Sequence, residues 1–455
     1  MMLTQEAAPS RGVTGFLHQA RQDSLVRNSV WLMLSAVITS ALGYLFWAVA
    51  AHRFTRQDIG VASAVISLCS TSAMLTYLGP SAMLVEWLPP RERSSGWTRV
   101  LVRVCVITAV VTVAATAAAI PFLLGSPDYH GYFRAGLPVT AALAGAGAWT
   151  LINLFAGAFI AARQAGRYLS MQIVISVAKL LLVLPAAAAI AGAAGLVAAW
   201  VTSAVLGVCV GAAWLIPRMR LGRPRGRYPR RQPAARPRCR PRLRRRARHR
   251  RPASLPSTQS AGRLLGQHLT SVGGAVTPLC LPVLVVLRLG ATQNAYFYIA
   301  WLVGGIFFMV SPSVASALFA EGVRAGSDLR TVVIRALRVI AALLCPAMVV
   351  TVAGGKLILA LFGAMYATAG YGLLVLLAVS AIPDAVSNIA VAVCRVTNRL
   401  VFSAAVNLAI FTVTLAGAWV LLPGLGIAGA GVAWLGAQTL GALASVPVYA
   451  GIRGG

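Results

Sequence analysis

The chain has 455 residues, of which 58% are hydrophobic and 11% are charged, and its formal net charge is +31. Soluble globular domains are about 45–50% apolar and about 25% charged. The composition therefore excludes an ordinary soluble domain and indicates a protein with many membrane spans.

The first half of the chain carries six long apolar runs behind a polar tail, residues 1–28. The first run is too long for the apolar core of a signal peptide, so we interpret it as a retained span. A helix needs roughly 20 apolar residues to cross about 30 Å of hydrocarbon. On this criterion an N-terminal lobe, residues 29–216, contains spans 1 to 6 at about 29–51, 60–88, 100–124, 136–161, 169–190 and 195–216.

An arginine-rich segment, residues 217–263, follows span 6. It contains the run RPRCRPRLRRRARHRRP, and between Arg218 and Arg251 about half of the residues are arginine and none is acidic. We interpret it as a solvated cytoplasmic linker beside anionic lipid headgroups, to which each basic residue near the surface adds about 1 kcal/mol of attraction. A shifted reading frame in a GC-rich gene is the alternative. Nucleic-acid binding is disfavoured because no aromatic residues alternate with the arginines.

Six further apolar runs form a C-terminal lobe, residues 264–451, which a short tail at 452–455 follows. Spans 7 to 12 are predicted at about 266–287, 295–319, 332–355, 371–394, 401–422 and 427–450. The chain is thus predicted to be an all-α integral membrane protein with about twelve transmembrane helices.

The basic residues of the loops predict the orientation. Loops on the cytoplasmic side of a membrane protein are enriched in lysine and arginine. The even-numbered connections carry most of the loop arginines, at Arg91, Arg93, Arg99, Arg163, Arg167, Arg324, Arg330, Arg395 and Arg399. We therefore predict that both termini are cytoplasmic, and we expect a multi-pass protein of a bacterial inner membrane.

The two halves resemble each other at fixed spacing. Three residue pairs, Arg53 and Arg288, Glu86 and Glu321, and Arg103 and Arg338, are each separated by 235 positions. Six spans per half give both repeats the same orientation, so the sequence predicts two parallel six-helix repeats.

Catalytic and metal-binding chemistry is not indicated. The nine acidic residues include no D-x-D pair, the five histidines are scattered, and the seven cysteines show no C-x-x-C spacing. An enzyme needs placed carboxylates, nucleophiles or metal ligands. We therefore predict no catalytic residue, metal site, cofactor or disulfide framework.

Ionisable residues inside predicted spans are the better candidates for function, because they are costly in a membrane. Asp384 follows Pro383, about 11 residues before Arg395, which at 1.5 Å per residue is near mid-membrane. It is a candidate proton- or cation-coupling site, or a hydrogen-bonded packing residue. Lys179 is similarly deep, and either faces a cavity and meets an anionic substrate, or snorkels or pairs internally.

Residues at span ends are weaker candidates. Arg53 and Arg288 mark the outer ends of spans 1 and 7, as anchors or as paired cations that suit a diphosphate. Arg103 and Arg338 lie near the cytoplasmic boundary, where snorkelling anchors are the favoured interpretation and gate residues are the alternative. Glu86 and Glu321 are gate candidates that would exchange ion pairs with Arg91, Arg93 or Arg324.

The chain resembles the polysaccharide biosynthesis and export proteins, which are lipid-linked oligosaccharide flippase-like members of the multidrug/oligosaccharidyl-lipid/polysaccharide flippase superfamily. The resemblance rests on NSVWLMLSAVITSALGYLFWAVAAHRFTRQDIGVASA (28–64), LFGAMY (361–366) and GLGIAGAGVAW (424–434). It implies a MATE-like two-lobe transporter whose lobes rock in alternating access. It also makes Asp384 similar to the cation-coupling aspartate of the multidrug branch, with H⁺ or Na⁺ as the ion. The chain departs from the flippase branch because the deep positions of spans 1, 2, 7 and 8 carry no clear cationic residues.

The resulting hypothesis is a flippase that moves lipid-linked oligosaccharide, carried on a polyprenyl diphosphate, across the inner membrane. Its partners would be membrane lipids and this substrate, in the biosynthesis of cell-surface polysaccharide such as the O-antigen of lipopolysaccharide. The alternatives are a cation-coupled multidrug or small-molecule exporter of the same fold, and a non-transporting scaffold of the polysaccharide assembly machinery.

Overall fold

The structure, a computed structural model, describes residues 24–88, 96–133, 137–162, 164–190, 192–221, 258–322 and 328–453. Within these residues the secondary structure is entirely helical, as predicted. The helices are α1 (Ser24–Arg53), α2 (Arg56–Trp87), α3 (Gly96–Leu123), α4 (Asp128–Phe133), α5 (Leu137–Ala161), α6 (Ala165–Ala189), α7 (Ala193–Leu221), α8 (Thr258–Leu289), α9 (Ala291–Gly304), α10 (Phe307–Gly322), α11 (Leu329–Ala360), α12 (Ala364–Val396), α13 (Leu400–Leu425), α14 (Ile427–Ala444) and α15 (Val446–Arg453).

Each predicted span falls on one helix or on two consecutive ones. Ten segments of the described residues are long and apolar enough to cross a membrane, and they correspond to spans 2 to 6 and 8 to 12. Spans 1 and 7 fall on α1 and α8, and the fully described part of α8, Gly273–Leu289, is a shorter apolar helix. Residues 1–23 of the predicted tail, residues 222–257 of the predicted linker and residues 454–455 lie outside the described residues, whereas the two ends of the linker continue α7 and α8.

Two spans contain a break that periodicity did not predict. Span 8 is divided between α9 and α10 after Gly304 and Gly305, and span 12 is divided at Ser445. Glycine is a poor helix former, which accounts for the break in span 8. The structure also adds α4, a short helix between spans 3 and 4.

Large apolar side chains cover the outside of the helix bundle. Val401 is 86% exposed, Val349 67% and Leu181 66%. Exposed apolar surface costs about 25 cal/mol per Å² in water, whereas in lipid it costs nothing. Together with the ten spans, this surface indicates a multi-pass membrane protein.

Helix packing in the two halves follows one pattern. In the first half α1 packs on α6, α6 on α7, α5 on α7 and α3 on α5, and in the second half α8 packs on α13, α13 on α14, α12 on α14 and α11 on α12. These pairs correspond one to one under the repeat that the sequence predicts. Equivalent helices therefore pack in the same way in each half, while one hydrophobic cluster contains residues of both halves.

Hydroxyl groups join three helices inside the first half. The Thr112 hydroxyl lies 2.6 Å from that of Thr76 and accepts a hydrogen bond from the Thr150 hydroxyl at 3.0 Å, which connects α3 with α2 and α5. Interhelical hydrogen bonds of this kind stabilise membrane helices that have no hydrophobic driving force for association.

The two halves meet closely where α2 faces α9. An added Cβ on Gly60 would lie 1.7 Å from the carbonyl oxygen of Ala291. The buried Asn294 amide donates to the Gly60 carbonyl at 2.8 Å and to the Ser63 hydroxyl at 3.0 Å. Arg56 donates to the Tyr296 hydroxyl at 3.0 Å. We call this end of the bundle, where α1 finishes, the Arg53 end.

A short helix also bridges the halves at the Arg53 end. Asp128, the first residue of α4, accepts a hydrogen bond from the backbone N–H of Ala291 at 2.7 Å and another from the Gln57 amide at 3.2 Å. A carboxylate is favoured at a helix N-terminus because it complements the helix dipole. Asp128 therefore helps to hold α9 against the first half.

Candidate substrate cavity

A polar cavity of about 470 Å³ lies within the first half and reaches the second half at α9 and α10. Hydroxyl, amide, aromatic and ammonium groups line it. Its polar and aromatic lining residues are Thr39, Ser40, Tyr44, Phe46, Trp47, Ser70, Trp149, Gln172, Ser176, Lys179, Trp200, Ser203, Tyr298 and Trp301. Small-molecule sites have this character, with apolar and aromatic walls and a few placed polar groups.

Lys179 supplies the positive charge of the cavity. Its ammonium lies over the ring of Phe46, 4.8 Å from the ring centroid, at a distance typical of a cation–π contact. No carboxylate lies within ion-pair distance of Lys179 among the described residues. The ammonium is thus held by an aromatic face and remains available to an anion in the cavity.

Aromatic contacts fix the walls. Trp47 of α1 packs on Tyr298 of α9 with ring centroids 4.7 Å apart, and Trp149 packs on Trp200 at 6.0 Å. The Tyr44 hydroxyl donates to the Leu302 carbonyl at 2.9 Å. Side chains of both halves therefore form the wall, so a movement between the halves would reshape the cavity.

An apolar groove of about 880 Å³ continues from the cavity between α1, α10 and α11. Ser40, Tyr44 and Met309 line both spaces. The other groove residues are mostly aliphatic: Val37, Ala41, Ile306, Val310, Val314, Ala317, Leu318, Val332, Ala336, Val339 and Leu343. The groove lies in the half of the bundle opposite the Arg53 end, between α1 of the first half and α10 and α11 of the second.

Glu321 and Arg335 lie at the far end of this groove. Arg335 donates to the Glu321 carboxylate at 3.3 Å, and both side chains are about half exposed. An exposed pair of this kind is worth at most about 1 kcal/mol, so a charged ligand can separate it. The partner that the sequence suggested, Arg324, lies outside the described residues, as do Arg91 and Arg93 and the side chain of Glu86.

Asp384 is buried in the second half and lines neither the cavity nor the groove. It is 6% exposed and accepts a hydrogen bond from the Ser311 hydroxyl of α10 at 2.7 Å. Among the described residues no cationic side chain pairs with it. A carboxylate in such surroundings needs a proton or a bound cation to offset the cost of burial.

The four remaining arginine candidates lie away from both spaces. Arg288 is exposed, and its guanidinium lies over the ring of Trp419 at 4.5 Å. Arg53, Arg103 and Arg338 are exposed and line neither the cavity nor the groove. Lys179 and Asp384 are therefore in different halves, and the structure does not bring the candidates together into one cluster. The described residues contain no group of three or more potential metal-ligating side chains.

Sequence reasoning did not single out Gln172 or Arg335. The signal for Gln172 was present, because Gln172, Ser176 and Lys179 follow a helical spacing that puts them on one face of α6. Arg335 had no such signal, since it is one of several arginines near a span end.

No family model and no curated protein matches this sequence. Solved structures are similar to it, and three of them are described here. A multidrug resistance MATE family transporter of the MOP superfamily in an inward-facing conformation has a TM-score of 0.62 at 16% identity, covering 94% of this chain and 98% of that one. The outward-facing conformation of such a transporter gives 0.54 at 14% identity, covering 98% and 99%. A eukaryotic MATE transporter gives 0.57 at 14% identity, covering 94% and 96%. These similarities confirm the predicted MATE-like fold.

Proposed function

We propose that this protein is a flippase that moves a lipid-linked oligosaccharide across a bacterial inner membrane by alternating access. The observation that carries the proposal is the continuity of a cationic, aromatic cavity with a long apolar groove through Ser40, Tyr44 and Met309. An amphipathic molecule with an anionic head and a hydrocarbon chain matches both spaces at once.

Lys179 is proposed to bind the diphosphate of the substrate. It is the basic residue among those that line the cavity, and a charge-assisted hydrogen bond from an ammonium is about twice as strong as a neutral one. The surrounding hydroxyl and amide groups would bind sugar hydroxyls, and the tryptophan and tyrosine rings would pack on the sugar faces. The groove would hold the first isoprene units, because its wall is mostly aliphatic.

The direction of movement follows from the predicted orientation. With both termini in the cytoplasm, the Arg53 end is the outer end. The halves touch there through Gly60, Asn294 and Arg56, and the groove lies toward the cytoplasm. Opening the Arg53 end and closing the other would present the bound headgroup to the outer side.

Asp384 is proposed as the coupling site for H⁺ or Na⁺. It is a buried carboxylate without a cationic partner among the described residues, and Ser311 links it to α10, which forms one wall of the groove. Loading or release of a cation at Asp384 would change how α12 holds α10. A binding energy that differs between two conformations is what an ion gradient requires to drive a cycle.

A cation-coupled exporter of small amphipathic compounds is the second candidate. The size of the cavity favours it, since about 470 Å³ is within the range that holds one drug-sized molecule. Both functions use the same fold, so they differ in cargo and not in mechanism.

The test is flipping by the purified protein in liposomes. A fluorescent polyprenyl-diphosphate oligosaccharide is incorporated, and its exposure to a membrane-impermeant quencher is followed with and without an ion gradient. Protein-dependent loss of protection supports the flippase. Uptake of a small cationic or amphipathic dye, with no movement of the lipid, supports the exporter. If neither cargo moves under any gradient, a non-transporting scaffold remains.

A further inference from the structure

A second polar pocket, of about 570 Å³, lies at the Arg53 end, where both halves contribute to its wall. Ala51, Phe54, Thr55 and Arg56 come from the first half, and Thr292 and the 362–366 segment come from the second. The pocket shares no residue with the cavity or the groove. It is therefore a separate space that transport of the proposed substrate does not explain.

The N-terminus of α12 opens into this pocket. Gly363 is the N-cap residue, with φ +126, and it makes no side-chain cap. No described residue accepts a hydrogen bond from the N–H groups of Ala364 and Met365, which line the pocket. The start of a helix carries a partial positive charge, and uncapped N–H groups there bind anions such as phosphate.

Arg56 adds a full positive charge on the opposite wall. Its guanidinium donates to the Tyr296 hydroxyl at 3.0 Å, and it pairs with no carboxylate among the described residues. A guanidinium has five N–H donors in a planar fork that matches phosphate. The nearby Asp58 carboxylate does not line the pocket, because it is bound in the capping box of α2 with Thr55.

Tyr366 provides an independent sign of a missing ligand. Its side chain is only 3% exposed and lines the pocket, yet its hydroxyl has no hydrogen-bond partner in the described structure. Its ring packs on that of Tyr296, the residue that Arg56 contacts, with centroids 5.4 Å apart. A buried hydroxyl left unpaired costs about 1–3 kcal/mol, and a bound anion would accept its hydrogen bond.

We propose that this pocket is a phosphate-binding site formed by Arg56, the N-terminus of α12 and Tyr366. The ligand chemistry is a phosphate group, supplied either by inorganic phosphate or by the headgroup of an anionic phospholipid. Because the walls come from both halves, the bound phosphate bridges them at the end where they are in contact. The site does not depend on the identity of the transported cargo.

The experiment measures ligand binding to the full-length protein in detergent by its effect on thermal unfolding. Sodium phosphate is titrated against sodium chloride at equal ionic strength, and phosphatidylglycerol is titrated against phosphatidylcholine in mixed micelles. Ligand that binds the native state stabilises it by RT ln(1 + c/Kd), where c is the free ligand concentration, so the unfolding temperature rises with ligand concentration and with affinity. Stabilisation by inorganic phosphate assigns the site to the free ion, and stabilisation by phosphatidylglycerol alone assigns it to a lipid headgroup.

The variants identify the pocket. Arg56→Gln is expected to weaken phosphate binding about tenfold or more, since a charged hydrogen bond is lost. Tyr366→Phe removes one hydroxyl without changing the packing, and is expected to weaken binding severalfold in a protein that still folds. Lys356→Gln, which removes an exposed charge outside the pocket, should bind as the wild type does. If neither probe stabilises the wild type, or if all three variants respond equally, the proposal is wrong.

Discussion

Replacement of Gly60 by alanine is the sharpest test of how the two halves meet. A Cβ at this position would lie 1.7 Å from the Ala291 carbonyl oxygen and 2.4 Å from its carbonyl carbon. Real Cβ atoms essentially never lie closer than 3.0 Å to another heavy atom, and here the obstacle is backbone. The gap between α2 and α9 must therefore widen until that distance is reached.

The energetic consequence falls on Asn294. A shift of this size lengthens its hydrogen bonds to the Gly60 carbonyl and to the Ser63 hydroxyl, which are 2.8 and 3.0 Å long. The amide is fully buried, and leaving such a group unpaired costs about 1–3 kcal/mol. The closed arrangement at the Arg53 end should thus lose about a factor of 5 to 150 in population relative to an open one.

The assay is the distance between spin labels on the two halves. Labels at His52 and Leu361, which are both exposed near the Arg53 end, are introduced after the native cysteines have been replaced by alanine. Gly60→Ala should lengthen and broaden the distance distribution and lower the unfolding temperature. Gly372→Ala is the matched control, because its Cβ meets nothing within 4 Å in the middle of a helix.

The opposite result would refute the reasoning. Alanine is a better helix former than glycine by about 1 kcal/mol, so the control variant is expected to be slightly more stable than the wild type. If Gly60→Ala gives the same distances and the same stabilisation as Gly372→Ala, then α2 and α9 do not approach each other as described.

Substitutions at three further residues test the cavity, the coupling site and the contact between the halves. Lys179→Met should reduce flipping of a diphosphate-linked lipid about tenfold or more, because a charge-assisted contact is lost. Lys179→Arg should retain most of the flipping rate. Equal rates in the two variants would exclude a role for the charge. Asp384→Asn keeps an oxygen that can accept from Ser311, so the unfolding temperature should change little while the dependence of transport on the ion gradient disappears. Asp128→Asn retains one acceptor oxygen for the two donors, Ala291 N–H and the Gln57 amide. It should therefore destabilise the closed Arg53 end by about 1–3 kcal/mol and lengthen the distance between the spin labels at residues 52 and 361. An unchanged distance would contradict the bridging role of α4.

The sequence singled out two deep ionisable residues, but it did not predict their surroundings. Lys179 and Asp384 stand out because each interrupts a long apolar run, and burying an ionisable group in a membrane is expensive. That argument identifies a residue without giving its neighbours. Whether Lys179 faces a cavity or a helix contact was left open, and the answer depends on Phe46, Trp149 and Trp200, which come from three other helices.

Contacts between residues of different helices could not be predicted from the sequence for a related reason. Glu321 was noted as a gate candidate, yet its partner Arg335 is fourteen positions away on the next helix. The contact depends on the relative rotation of α10 and α11. The phosphate pocket is a stronger case, since Arg56 and Gly363 are distant in the chain and meet only where the halves are in contact.

The all-helical fold and the positions of the apolar spans could be read from the sequence, because a bilayer requires runs of about 20 apolar residues and polar loops between them. The breaks in spans 8 and 12, and the helix faces that form the cavity, the groove and the contact between the halves, became known only from the structure. In a soluble protein the apolar stripe of a helix marks its buried face. In a membrane the lipid and the protein interior are equally apolar, so an apolar stripe does not mark the buried face, and close packing together with interhelical hydrogen bonds selects the faces that meet.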